Sequence, residues 1–162
     1  MGTEAVNRIR MAAFFAAAFS ICTAMARAED PLVGRWQMIS LTVGGKPANP
    51  LPIAITIRQA SPSTLKFTYL AGTEEKVNMT FTVPLNGTVA PIQDAAGAQI
   101  GTVKLTKLDG GKYELVLQSA GKPPEPGKMV LARQNQILTC SVGAGDDKTP
   151  PRIIQVFSRD TL

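Results

Sequence analysis

Val77, Met79, Phe81 and Val83 alternate with Lys76, Asn78, Thr80 and Thr82, and this two-residue period is the strongest constraint on what the chain can fold into. Successive side chains of an extended strand point to opposite faces, so strict apolar and polar alternation describes a half-buried β-strand. The same pattern returns along most of the chain. Ile53, Ile55 and Ile57 alternate with Ala54, Thr56 and Arg58, and Leu65, Phe67 and Tyr69 with Lys66 and Thr68. Val103 with Leu105, then Tyr113, Leu115 and Leu117, then Met129 with Leu131 continue it, and strands at Ile137 to Val142 and Arg152 to Arg159 complete the series. Between these runs lie turn formers: Gly44-Gly45, Ser61-Pro62-Ser63, Ala71-Gly72, Asn86-Gly87, Asp109-Gly110-Gly111, Gln134-Asn135 and "GAGDDKTPP" from Gly143 to Pro151. No stretch beyond residue 28 carries a helical stripe. The chain is therefore expected to be all-β.

Strands at short spacing joined by local turns predict an antiparallel meander. A meander removes its exposed edges most completely by closing on itself, which predicts a single up-and-down β-barrel of about eight to ten strands. The proline-rich "GKPPEPGK", Gly121 to Lys128, is read as a rigid connector between two of them.

The first 28 residues do not belong to that domain. Arg8 and Arg10 precede an apolar stretch from Met11 to Ala24, too short to span a bilayer, and Ala26-Arg27-Ala28 has the small-x-small form of a signal-peptidase site. Residues 1–28 are read as a signal peptide and 29–162 as the barrel domain, released to the periplasm or secreted and not integral to the membrane. Lipidation at Cys22 ranks below simple release, because the bulky Ile21 stands where a lipoprotein peptidase wants a small residue. Removing Arg8, Arg10, Arg27 and Glu4 lowers the formal charge from +5 to +3. With basic residues scattered and not interleaved with aromatics, no nucleic-acid partner is expected.

Residue types also limit the chemistry. The chain holds two cysteines, and loss of Cys22 leaves Cys140 alone, so the mature fold has no internal disulfide and must stand on its core. Cys140 alternates with Leu138 and Val142 and is read as a buried, inert thiol. With no histidine, a Ser-His-Asp triad and histidine zinc sites are excluded, and one thiol makes no cysteine zinc site. Glu74-Glu75 and Asp146-Asp147 are adjacent in turns, where neighbours diverge, and are read as solvated charge. "GAGDDKT" lacks the spacing of a phosphate loop. No catalytic residue, metal site or cofactor is assigned, and the chain is not expected to be an enzyme.

Gly34-Arg35-Trp36, at the start of the first strand, together with "RIIQVFSRD" from Arg152 to Asp160, resembles the opening and closing strands of lipocalin-like proteins and of the wider group of barrels that includes fatty-acid-binding proteins. The resemblance covers nearly all of the mature chain. It implies a lipocalin-like barrel in which Trp36, the single tryptophan, packs at the closed end against Arg159, with Gly34 completing the motif. It departs from the fatty-acid-binding type between the first two strands, where "GGKPANPLP" is too proline-rich for a helical lid. If function lies in the interior, the inward candidates are Ile55, Ile57, Phe67, Tyr69, Met79, Phe81, Tyr113 and Leu115. Arg133, continuing the face of Met129 and Leu131, would be a polar anchor for an acyl carboxylate. The leading expectation is a monomeric binding protein for a small hydrophobic or amphipathic ligand. The alternatives are a barrel-type periplasmic protease inhibitor, which would need a longer arm than "EDPL" before the first strand, and a ligand-free envelope structural or stress protein. Mass measurement of the protein recovered from its producing cells is expected to show a chain beginning at Glu29, and an intact chain beginning at Met1 would contradict the export reading.

Overall fold

The computed structural model describes residues 28–143 and 149–160. Residues 1–27, most of the stretch read as a signal peptide and including Cys22, and the Asp146-Asp147 pair with most of "GAGDDKT", lie outside the described residues. The rest is all-β. Eleven strands follow in order: β1 (Gly34–Val43), β2 (Lys46–Ala48), β3 (Ile53–Ser61), β4 (Thr64–Ala71), β5 (Lys76–Pro84), β6 (Ala90–Asp94), β7 (Gln99–Lys107), β8 (Lys112–Ser119), β9 (Glu125–Ala132), β10 (Ile137–Val142) and β11 (Ile153–Arg159). Each of β3 to β10 pairs antiparallel with the next. The second half of β1 pairs with β2, its first half pairs with β3, and its other edge takes β11, so β1 and β3 to β11 form a closed up-and-down barrel. Closure leaves no long unpaired edge.

The alternation read from the sequence decides which side chains enter the barrel. Ile55, Ile57, Leu65, Phe67, Val83, Val103, Leu105, Leu138 and Phe157 are all essentially solvent-free. Inward residues meet across the ladders as Ile55 with Tyr69, Ile57 with Phe67 and Phe67 with Phe81, and the last two rings stack with centroids 4.7 Å apart. Two bulges break the phase. In β1 the register shifts between Met38 and Ser40, so that inward positions pass from Trp36 and Met38 to Leu41 while Ile39 is turned out. In β5 Tyr69 faces Met79 but Leu70 faces Val77, which makes Asn78 the extra residue. Val77 is exposed for that reason, although simple alternation groups it with Met79. Two strands carry too weak a pattern to be anticipated: β2, three exposed residues, and β6, in which only Ala90 and Ile92 are buried and Pro91 intervenes.

The end of the barrel that holds Trp36 is closed by the segment before β1. Trp36 is fully buried and its indole Nε1 donates to the Leu32 carbonyl at 2.9 Å. Arg159 pairs with Trp36 in the β1–β11 register, and its guanidinium carbon lies 4.3 Å from the ring centroid. That guanidinium also donates to three carbonyls, those of Val33 at 2.6 Å, Pro31 at 2.6 Å and Asn135 at 2.8 Å. One side chain thus joins the N-terminal segment, the β9–β10 turn and the last strand. Gly34 makes room for it. Its φ of +148° favours glycine, and a Cβ there would run into the Arg159 guanidinium.

Asp30 completes the floor. It is a buried carboxylate, accepting from the Leu32 amide at 2.9 Å, the Tyr113 hydroxyl at 2.7 Å and the Lys107 ammonium at 2.7 Å. Every oxygen is satisfied, as a buried charge requires. Leu32, held between these bonds and the indole, is itself solvent-free. Trp36→Ala removes the largest buried side chain together with a cation–π partner, and is expected to cost roughly 3 to 5 kcal/mol in urea unfolding. A midpoint close to that of the parent protein would show that Trp36 does not hold the floor.

Candidate functional site

Above the floor the inward side chains do not fill the lumen, and a cavity of about 220 Å³ remains. Its walls follow from the strands described. Phe67 and Tyr69 come from β4, Met79 and Phe81 from β5, Ile92 from β6, Leu105 from β7, Leu115 and Leu117 from β8, Met129 from β9 and Cys140 from β10. Toward the open end, where β3 begins and β4 ends, the lining turns polar with Gln118, Ser119 and Gln155. Gly101 also lies there, on an inward position of β7 where a Cβ would strike the Gln118 carbonyl of β8. A side chain at that position would force the two strands apart.

The residues proposed from sequence for the interior divide into three groups. Phe67, Tyr69, Met79, Phe81 and Leu115 line the cavity. Ile55, Ile57 and Tyr113 are buried but belong to the packed core, with the Tyr113 hydroxyl committed to Asp30. Arg133 is not in the interior at all. Strand β9 ends at Ala132, and Arg133, Gln134 and Asn135 all adopt left-handed backbone conformations, with φ of 50°, 56° and 63°. The tight turn therefore carries Arg133 out to solvent before the alternation can bring it inward, and no carboxylate anchor exists at that position. Gly34, Trp36 and Arg159 sit together at the opposite, closed end.

Several wall residues were not assigned to the interior from sequence. Gln155 is the most informative. It stands between the inward positions Ile153 and Phe157 of β11, a polar side chain on an apolar face, and that signal is readable once β11 is aligned. Cys140, opposite Gln155 in the β10–β11 ladder, forms part of the wall, and burial pushes its thiol up to about 12. Tyr69 is likewise raised well above the ordinary phenol range, first by burial and then by its nearness to Cys140. Its hydroxyl has no hydrogen-bond partner among the described residues. The lining holds no Lys, Arg, Asp or Glu among those residues. Glu74 and Glu75 lie on the surface, bonded to Lys76 and Arg35 respectively, far from acting as a facing carboxylate pair.

These groups give the protein an alkaline liability. Cys140, Tyr69 and Tyr113 all hold their protons more tightly in the folded chain, Tyr113 through burial and then through its bond to Asp30. For such groups the folded state binds more protons than the unfolded state once pH exceeds the unfolded value, 9.0 for the thiol, so stability falls as pH rises beyond it. With no histidine, side chains contribute little slope between about pH 6 and 8. Melting temperature is expected to be level across that range and to drop above about pH 9, less steeply in Cys140→Ala. An unchanged alkaline slope in that variant would exclude the thiol as a contributor.

No protein-family model and no curated protein sequence matches the chain. Among solved structures it is similar to the fluorescent protein UnaG. With an asparagine-to-alanine mutant of UnaG the TM-score is 0.57 at 14% identity, covering 82% of this chain and 98% of that one. With wild-type UnaG the TM-score is 0.55 at 12% identity, covering 80% and 97%. At this identity the likeness is one of fold, and together with the ten-strand closure it establishes a lipocalin-like, fatty-acid-binding-protein-like barrel.

Proposed function

We propose that this chain is an exported, monomeric binding protein that takes a small apolar or amphipathic molecule into the open half of its barrel. The supporting observation is the cavity of about 220 Å³, walled by side chains from the eight consecutive strands β4 to β11, while the end of the same barrel that holds Trp36 is filled by buried side chains. A barrel that served only as a structural body would gain by filling that space, because unfilled apolar volume costs about 24 cal/mol per Å³. Concave sites with apolar walls and a few polar groups at one end are the usual form of small-molecule sites. The resemblance of the first and last strands to lipocalin-like proteins points the same way, and the leader-like residues 1–28 support an extracytoplasmic setting.

The protease-inhibitor reading needs a free segment ahead of β1. Here Asp30 and Leu32 are buried in the barrel floor and Pro31 and Val33 accept bonds from Arg159. Residues 30–33 are thereby spent on closing the barrel, which favours a ligand in the interior over a protease at the N-terminal segment.

Native mass spectrometry of protein purified without denaturant is expected to show a bound small molecule, or saturable one-to-one uptake of small apolar probes from toluene upward. Leu117→Trp, which places an indole in the cavity wall, is expected to weaken uptake by at least about tenfold while costing no more than roughly 1 to 3 kcal/mol of stability. Protein that stays empty and takes up none of the probes would overturn the proposal.

A further inference from the structure

The size and lining of the cavity say more about its occupant than the fold does. About 220 Å³ is near one and a half times the roughly 150 Å³ cavity that holds benzene, and it falls below the ~300 to 1,000 Å³ of sites for drug-sized ligands. A single substituted ring or a short branched chain fills it. A long acyl chain does not.

Charge is decided by the walls. Among the described residues none of the lining groups is ionised at neutral pH: Tyr69 and Cys140 are held in their neutral forms. An ionised group brought inside without a counter-charge loses its hydration and gains nothing comparable. Basic side chains do stand in the adjoining cleft, which shares Leu117, Ser119, Val142 and Gln155 with the cavity. There Arg152 donates to Glu125 at 2.5 Å, and it faces its own partner across the rim.

Two polar groups inside are left open. The Tyr69 hydroxyl has no partner, and neither does the Gln155 amide among the described residues. They flank Cys140, which faces Gln155 in the ladder and lies close enough to Tyr69 to perturb it. Otherwise the wall is apolar, and Phe67 and Phe81 present stacked rings to the space. Resting on the binding reading above, we propose that the ligand is an uncharged molecule of about one substituted aromatic ring, whose single hydroxyl or carbonyl group hydrogen-bonds Tyr69 and Gln155.

Four probes titrated at pH 7 by calorimetry separate the possibilities: toluene, p-cresol, 4-methylbenzoate and palmitate. Toluene and p-cresol are expected to bind, with p-cresol about three- to tenfold tighter through the added hydrogen bond. Tyr69→Phe is expected to narrow that gap to within about twofold, because it weakens p-cresol, which loses a hydrogen bond, and not toluene, which makes none. 4-Methylbenzoate, the same ring carrying a carboxylate, is expected to bind at least about thirtyfold more weakly than p-cresol, and palmitate not to bind in the barrel. Binding of 4-methylbenzoate or palmitate as tight as that of p-cresol would overturn this inference while leaving the binding function intact. A gap between cresol and toluene that survives Tyr69→Phe would overturn the role given to the hydroxyl. Failure of all four would overturn both the inference and the binding function on which it rests.

Discussion

Everything in this fold depends on the first strand meeting the last. A meander of antiparallel strands has two free edges until β1 pairs with β11, and that pairing joins parts of the chain more than a hundred residues apart, from Trp36 with Arg159 to Val43 with Ile153. Arg159 secures the junction at one end. Its planar guanidinium covers the indole face while its N–H groups reach carbonyls of Pro31, Val33 and Asn135. A lysine has no such fork and covers an aromatic face less well. The glycine of Gly-Arg-Trp is then explained by what it lacks, since a Cβ on Gly34 would occupy the place of the guanidinium. With no disulfide among the described residues, this contact and the buried Asp30 cluster tie the segment just before β1 to the barrel.

The same inward alternation yields two different interiors along the barrel axis. At the Trp36 end, Leu32, Trp36, Tyr113, Leu138 and Phe157 fill the lumen, aided by a segment that enters from outside the strands. At the other end no segment enters among the described residues, and the strands carry smaller or polar inward groups, Gly101, Ser119 and Gln155. A ten-strand barrel is wide enough that side chains from its walls alone do not fill it. The floor is closed by an added plug, and the space that lacks one becomes the candidate site.

Residue by residue, legibility follows how local the deciding interaction is. Phe67, Tyr69, Met79, Phe81 and Leu115 were identifiable as interior because each sits in an unbroken run of alternation. Val77 belongs to such a run and still points outward, because a bulge at Asn78 is set by pairing with β4 and leaves no local mark. Arg133 fails for a similar reason. The chain leaves β9 one residue earlier than the pattern suggests, and three consecutive left-handed residues make the turn. Asp30 was not legible as a core residue at all, since nothing near it in sequence announces that Lys107 and Tyr113 will meet it. Gln155 was present on an apolar face from the start, but its meaning waits on knowing that Cys140 and Tyr69 stand near it.

The resemblance of the first and last strands to lipocalin-like proteins implied the closing pair Trp36 and Arg159, while the sequence by itself determined the all-β class, the positions of most strands and the absence of histidine chemistry. These are local periods, short motifs and composition, properties a chain possesses before it folds. Only the tertiary structure decided which inward side chains touch and which leave a gap of about 220 Å³, that the arginine at position 133 is outside, and that two uncharged polar groups face the gap. Registers, bulges and lumen width are set by ladders between distant strands, and volume left unfilled is a property of how all of them close together.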